Sequence, residues 1–226
     1  MLPSFDGIKR WNQTMATPLE KARRAPESMK GKILTAARRV FGDYSFHGAT
    51  TRMIAKEVGI DISTLYYHWG EKLDLYEAVI VDINEDLRNK LVDVESVIHG
   101  RPLEERMDIA IDLMTDYLFE NPEISNLVLF RYFGKTRENS RPDLQVPEFV
   151  SDIAKSMGLA TDGKSVSVQA RMQVLAIMNA IHNFVSGKRF FGSMLNLERE
   201  EYIREVKKTL KFILIPPFTT TDGKAV

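Results

Sequence analysis

Within eight residues, Ile62-Ser63-Thr64-Leu65-Tyr66-Tyr67-His68-Trp69, the chain sets four hydroxyls, an imidazole and an indole. Such a run carries many hydrogen-bond donors on flat apolar rings and no carboxylate or cysteine to act as a nucleophile or metal ligand. The chemistry it offers is contact: hydroxyl and imidazole donors for anionic oxygens, and ring and methyl surfaces for apolar edges. The chain has no cysteine at all, which removes disulfides, thiolate metal sites and thiol catalysis. Histidines stand only at 47, 68, 99 and 182 and form no i, i+4 pair, so neither a metal site nor a cofactor is expected. No catalytic constellation stands out, so the expectation is a binding protein, not an enzyme.

The elements around this run explain how it would be presented. Thr50 or Thr51 can cap a helix that runs to Val58 and buries Ile54, Ala55 and Val58. Gly59 supplies the positive φ that a tight turn needs, Ile60 can plug the corner, and Asp61 can cap the next helix. Helical spacing turns Leu65 and Trp69 inward. That leaves Ile62, Ser63, Thr64, Tyr66, Tyr67 and His68 on the outer face. A preceding helix from Pro26-Glu27 to near Gly42, with Ile33, Leu34, Ala36, Ala37, Val40 and Phe41 on one side, completes a three-helix unit containing a helix-turn-helix.

A helix laid in the major groove of DNA reads bases from its N-terminal turn and outer face. In that setting Ser63 can bond a base edge, while Ile62 and the Tyr66 ring can touch a thymine methyl. Thr64, Tyr67 and His68 suit phosphate oxygens, as do Thr50, Thr51 and Arg52 at the start of the preceding helix, and Lys72 adds a charge at the far end. The same aromatics could instead be the core of a helical hairpin. Charge leans towards the first reading. Residues 1–72 hold 12 Lys+Arg against 7 Asp+Glu, and residues 73–226 hold 19 against 24, within a chain of zero net charge.

The ordered set Thr51, Ile54-Ala55, Gly59-Ile60-Asp61, Thr64-Leu65-Tyr66-Tyr67-His68-Trp69 and Lys72 resembles the TetR (tetracycline-repressor-like) family of bacterial transcription regulators. The resemblance covers roughly residues 30–80. Three positions depart from the family pattern: Ser63 stands where Gly, Ala or Pro is frequent, Ile62 where a polar residue is frequent, and Trp69 in place of Phe. The resemblance implies a repressor of a palindromic operator on double-stranded DNA, released by a small-molecule effector. It also implies a homodimer joined through the last two long helices, residues 165–191 and 197–214.

The rest of the chain reads as all-α. Residues 1–25, with Lys9, Arg10, Lys21, Arg23 and Arg24, read as a flexible N-terminal arm, residues 26–72 as the DNA-binding domain, and 73–226 as a larger ligand-binding and dimerisation domain. Apolar steps of three or four run from Leu73 to about Ile98, followed by helices over 103–119, 123–133, 148–157, 165–191 and 197–214. Loops are expected at 134–147 and 158–164. The helix over 165–191 is apolar on more than one face, as burial against both a core and a partner requires. Candidate effector-lining residues are Met114, Tyr117, Leu118, Phe130, Phe133, Met178 and His182, although ordinary core packing accounts for each of them as well. No segment approaches the length of a membrane span, and a cytoplasmic protein is expected.

One motif points elsewhere. Gly158-Leu-Ala-Thr-Asp-Gly163-Lys164-Ser165 fits the phosphate-loop pattern at each fixed position, which gives nucleotide binding as the alternative function. That mechanism needs a strand before the loop, and the segment before Gly158 reads as helical. A turn at Asp162-Gly163 and a helix cap at Ser165 account for the residues without a ligand.

Overall fold

The computed structural model describes residues 17–133, 146–161 and 165–219 of the 226-residue chain, without the side chains of 132, 133, 146, 147 and 161. The expected loop at 134–147 therefore lies largely outside the described residues, as do the arm up to residue 16 and Asp162, Gly163 and Lys164 of the phosphate-loop match.

Helix α2, Met29–Gly48, is the centre of the N-terminal unit. Ser28 caps it by accepting from Gly31 N at 3.2 Å, three residues later than Pro26-Glu27 suggested. Gly42 does not end it: the helix continues, breaking its regular geometry only at Ser45, which adopts φ 59°. Ile33, Leu34, Ala36, Ala37, Val40 and Phe41 are buried as the spacing predicts. α3, Thr51–Val58, and α4, Ile62–Trp69, pack on this helix through Ile54, Ala55, Leu65 and Trp69.

The last part of the expected arm is ordered instead. Thr17 and Glu20 form a reciprocal capping box that starts α1, Pro18–Arg24, and Pro18 stands in the first turn. Ala22 enters the core, and Arg23 reaches α5, Lys72–Ile98. This 27-residue helix is about 40 Å long at ~1.5 Å per residue. Its Leu75, Tyr76 and Val79 belong to the same continuous core as α2 and α4, and its Leu87 extends that core towards the body.

The body comprises α6 (Leu103–Glu120), α7 (Pro122–Phe133), α8 (Val146–Ser156), α9 (Val168–Ser186), α10 (Lys188–Leu195), α11 (Arg199–Leu214) and α12 (Pro216–Thr219). The main core runs unbroken into α6, α7, α9 and α11 through Leu118, Phe119, Leu127, Ile181, Tyr202 and Leu210. A smaller cluster, Val150, Ala154, Ala170 and Val174, joins α8 to α9. The helix expected over 165–191 is really two, broken at Gly187. Among the described residues no helix is long and apolar enough to cross a membrane.

The phosphate-loop match falls in a hairpin. Gly158 closes the turn after α8 at φ 76°, and β1 (Ala160–Thr161) pairs antiparallel with β2 (Ser165–Val166). Ser165 thus lies in a strand, and Ser167 caps α9 by accepting from Ala170 N at 3.1 Å. The segment turns back on itself after a helix, whereas a phosphate loop leads from a strand of a parallel sheet into a helix. Nucleotide binding is not favoured.

Candidate nucleic-acid interface

The turn between α3 and α4 is closed by backbone bonds. Gly59 adopts φ 76°, and Gly59 N and Ile60 N both donate to Ala55 O, at 2.9 and 3.0 Å. A side chain at Gly59 would be strained by that φ although nothing stands near it. Thr50, not Thr51, is the cap of α3, accepting from Met53 N at 3.2 Å. Asp61 holds the cap position of α4 with extended backbone, but its carboxylate makes no capping hydrogen bond.

On α4 the expected division of faces holds for Leu65 and Trp69 inward and for Ser63, Tyr66 and Tyr67 outward, but not fully for Ile62, Thr64 and His68. Leu65 is fully buried and Trp69 is 5% exposed, whereas Tyr66 is 42% and Tyr67 83% exposed. A tyrosine ring as exposed as that of Tyr67 adds little to stability and is free to meet a partner. Ser63 and Arg52 are also exposed, and Thr51, Ile62, Thr64, His68 and Lys72 are half-buried. Ile62 packs part of its side chain on the core, so only its remainder is free for contact.

His68 and Lys72 are more engaged than the sequence suggests. The His68 Nδ1 atom is buried without a hydrogen-bond partner. Burial, and then the charge of Lys30, push the ring below the usual histidine range, so it is neutral at pH 7 and adds no cation. Lys72 lies over the Phe46 ring, 4.5 Å from its centroid, and burial lowers its pKa.

Lys30 is a residue that motif spacing missed, since it stands far from the run it supports. Its Nζ donates to His68 O at 2.6 Å, satisfying a carbonyl at the C-terminal end of α4. Trp69 Nε1 donates back to Lys30 O at 3.2 Å. The indole that replaces the family's usual Phe therefore ties the end of α4 to the start of α2.

The candidate effector-lining residues do not gather in one described cavity. Leu118 is buried, Met114 and Tyr117 pack at the edge of the main core, and Lys90 lies 5.5 Å from the Tyr117 ring centroid. Met178 belongs to the smaller cluster and Phe130 is 37% exposed; the Phe133 side chain lies outside the described residues. His182 is 3% exposed, its Nδ1 lies 3.0 Å from Ser125 Oγ, and burial lowers its pKa to about 4. Beside the body's core, the Thr115 hydroxyl is buried without a hydrogen-bond partner. A cavity of about 390 Å³ opens between α6 and α11, but it is lined by charged residues such as Asp112, Arg204 and Lys207 and contains none of the candidates. Among the described residues no three His, Asp or Glu gather as metal ligands.

A two-helix reading motif on a helical body defines a helix-turn-helix protein. Residues 33–79 match the family described as bacterial regulatory proteins, tetR family. The HTH-type transcriptional regulator UidR of Escherichia coli K12 is 39% identical over 54 residues, 24% of this chain and 28% of UidR. The matched segment thus spans little more than a quarter of that curated relative. Over the whole fold, a TetR-like transcriptional regulator from Rhodococcus sp. RHA1 aligns with TM-score 0.57 and 17% identity, covering 84% of this chain and 95% of that one. The fatty acid degradation regulator FadR from Bacillus halodurans aligns with TM-score 0.54 and 14% identity, covering 85% and 96%. Residues 33–79 thus carry the DNA-binding segment of the tetR family, and the chain as a whole shares the fold of these solved regulators.

Proposed function

We propose that the chain is a transcription regulator that binds a palindromic operator on double-stranded DNA as a homodimer and is released by a small-molecule effector. The observation that carries this reading is the outward face of α4. Ser63, Tyr66 and Tyr67 stand in solvent on a helix whose opposite face, Leu65 and Trp69, is locked into the core. In this reading Ser63, Tyr66 and the free part of Ile62 meet bases. Thr50, Thr51, Arg52, Thr64, Tyr67, His68 and Lys72 meet the backbone, His68 as a neutral donor.

Residues 26–72, braced by α1, form the DNA-binding domain, and 73–226 the effector and dimer domain. Two features support the second assignment. The unpaired Thr115 hydroxyl and the Ser125–His182 pair place polar groups inside an apolar body, as a site for a small molecule of mixed polarity requires. Val168 and Met172 on α9 and Phe212 and Ile213 on α11 are exposed, as the joining face of a homodimer requires.

Selection of bound fragments from the source genome, with affinity followed against salt, tests the reading. A dimer touching about 6–10 phosphates loses on the order of 10³–10⁵ in affinity between roughly 50 and 200 mM salt. Recovery of no fragment above background, or a flat salt response, rules out DNA as the partner.

A further inference from the structure

The N-terminal unit meets the body at a cluster of partly buried charge. From α2, Arg38 places one nitrogen 2.8 Å from Asp82 and 2.5 Å from Asp86, both on α5. Its other terminal nitrogen lies 3.4 Å from Glu123, in the first turn of α7. From α1, Arg23 reaches Asp82 at 2.6 Å, Glu85 at 2.8 Å and Asp86 at 2.8 Å. Asp82 is 4% exposed, so the arginines answer a carboxylate held almost wholly out of water. Burial opposes the charge on Arg38, and its bond to Asp86 with the fields of Asp82, Asp86 and Glu123 outweighs that penalty.

Within this cluster Glu123 differs from the other acids. Asp82, Glu85 and Asp86 ride on α5, whose Leu75, Tyr76 and Val79 pack in one core with α2 and α4 before Leu87 carries that core on towards the body. Glu123 comes from the body. Beside it α2 and α7 touch without an intervening side chain: a Cβ added to Gly42 would lie 2.6 Å from Glu123 Cβ and 2.9 Å from its Cα. The ion pair and this backbone contact span the same joint. Two residues along α7, Ser125 makes its bond to the deeply buried His182. Ser125 and Glu123 thus stand about half a helical turn apart on one rigid element.

We propose that Glu123 is a positioning residue: through Arg38 and Gly42 it fixes the tilt of the reading unit on the body, and hence the distance between the two reading helices of a dimer. The proposal rests on the reading of the chain as a dimeric DNA-binding protein. It assigns to one carboxylate a control over half-site spacing that leaves the bases read within each half-site untouched.

The test is selection from random double-stranded DNA by the full-length chain and by its Glu123→Gln, Gly42→Ala and Asp112→Asn variants. Glu123→Gln removes a charge from a cluster in which four carboxylates already outnumber two arginines, so the fold is expected to survive. Gly42→Ala wedges the same joint without changing any charge. Asp112→Asn, which disturbs an ion pair with Lys211 elsewhere in the body, is the control. Both joint variants should select the wild-type half-site with its spacing displaced by about one base pair, or spread about twofold wider, while the control keeps the wild-type spacing. Unchanged spacing in both joint variants overturns the proposal. Failure of the wild type to select any half-site is a separate result, and it overturns the DNA reading itself.

Discussion

Lys30 and Trp69 hold each other across the reading unit. Trp69 Nε1 donates to the Lys30 carbonyl at 3.2 Å, while the Lys30 ammonium lies 6.0 Å from the indole ring centroid and donates to His68 O at 2.6 Å. The end of α4 and the start of α2 are thereby fixed in both directions, by a cation on a helix C-terminal carbonyl and a ring N–H on a backbone oxygen.

Replacing Lys30 with Met keeps the aliphatic stem and removes the charge. His68 is depressed first by burial and second by Lys30, so in Lys30→Met its pKa should rise towards, but not reach, the ordinary value. A proton NMR titration of the His68 ring reads this directly. Stability should fall by about 1 kcal/mol, because one bond from a charged, half-exposed donor is lost. An unmoved His68 titration would mean that the lysine does not sit beside the ring in solution.

Tyr66 and Tyr67 separate folding from recognition. Because both rings are exposed, Tyr66→Ala and Tyr67→Ala should each change stability by no more than about 0.5 kcal/mol. Each should weaken DNA binding, by about 1–3 kcal/mol for a base contact. The two differ in character: Tyr66→Ala should relax preference at one base position, and Tyr67→Ala should weaken all sequences alike. Loss of the helical circular dichroism signal in Tyr66→Ala would instead make that ring part of the core.

The parts of the fold legible in the sequence are those whose causes are local. α3 and α4 follow from a Thr cap, a Gly at positive φ and inward residues four apart, and the structure reproduces them. α1 carries an equally local signal, Thr17-Pro18-Leu19-Glu20, but with one buried side chain its apolar period is too short to notice. The break at Gly187 is hidden for the opposite reason. Phe184, Phe190 and Phe191 continue the apolar pattern across it, although Phe190 lies 69% exposed beyond the bend. The Lys30–Trp69 clasp and the Arg38 cluster join residues dozens of positions apart, which no short-range spacing reveals. The division of α4 into buried and exposed faces was readable because helical period alone decides it.

His182 gives stability a specific pH response. Its imidazole is buried as the neutral form, with a pKa of about 4 against 6.5 for the free side chain. Between those values the unfolded chain binds a proton that the folded chain refuses, so unfolding becomes easier as pH falls. The contribution is complete above pH 6.5 and lost progressively towards about pH 4, on the order of 2 kcal/mol between about pH 6.5 and 5. His182→Gln keeps a hydrogen-bonding partner for Ser125 and cannot titrate. Urea unfolding at several pH values should show a shallower acid-side slope in the variant. Equal slopes in the two proteins would mean that the ring is accessible to protons in the folded state.

The dimer reading turns on apolar side chains that the single chain leaves in water. Phe212 is 79% exposed on α11, a helix whose opposite face buries Tyr202, Val206 and Leu210. Most of the outer face of α11 is charged, but its C-terminal end also leaves Ile213 exposed, and burying these two side chains gains about 25 cal/mol per Å² of apolar surface. Phe212→Glu should therefore leave thermal unfolding of the monomer nearly unchanged while shifting sedimentation from dimer to monomer. Because a two-fold interface repeats each residue, the substitution brings two like charges into one joint, and dissociation should be marked even at high protein concentration. DNA affinity should fall with it, since two half-sites are held together only while the dimer persists. A variant that stays dimeric and binds DNA as before would place the joining face elsewhere on the body.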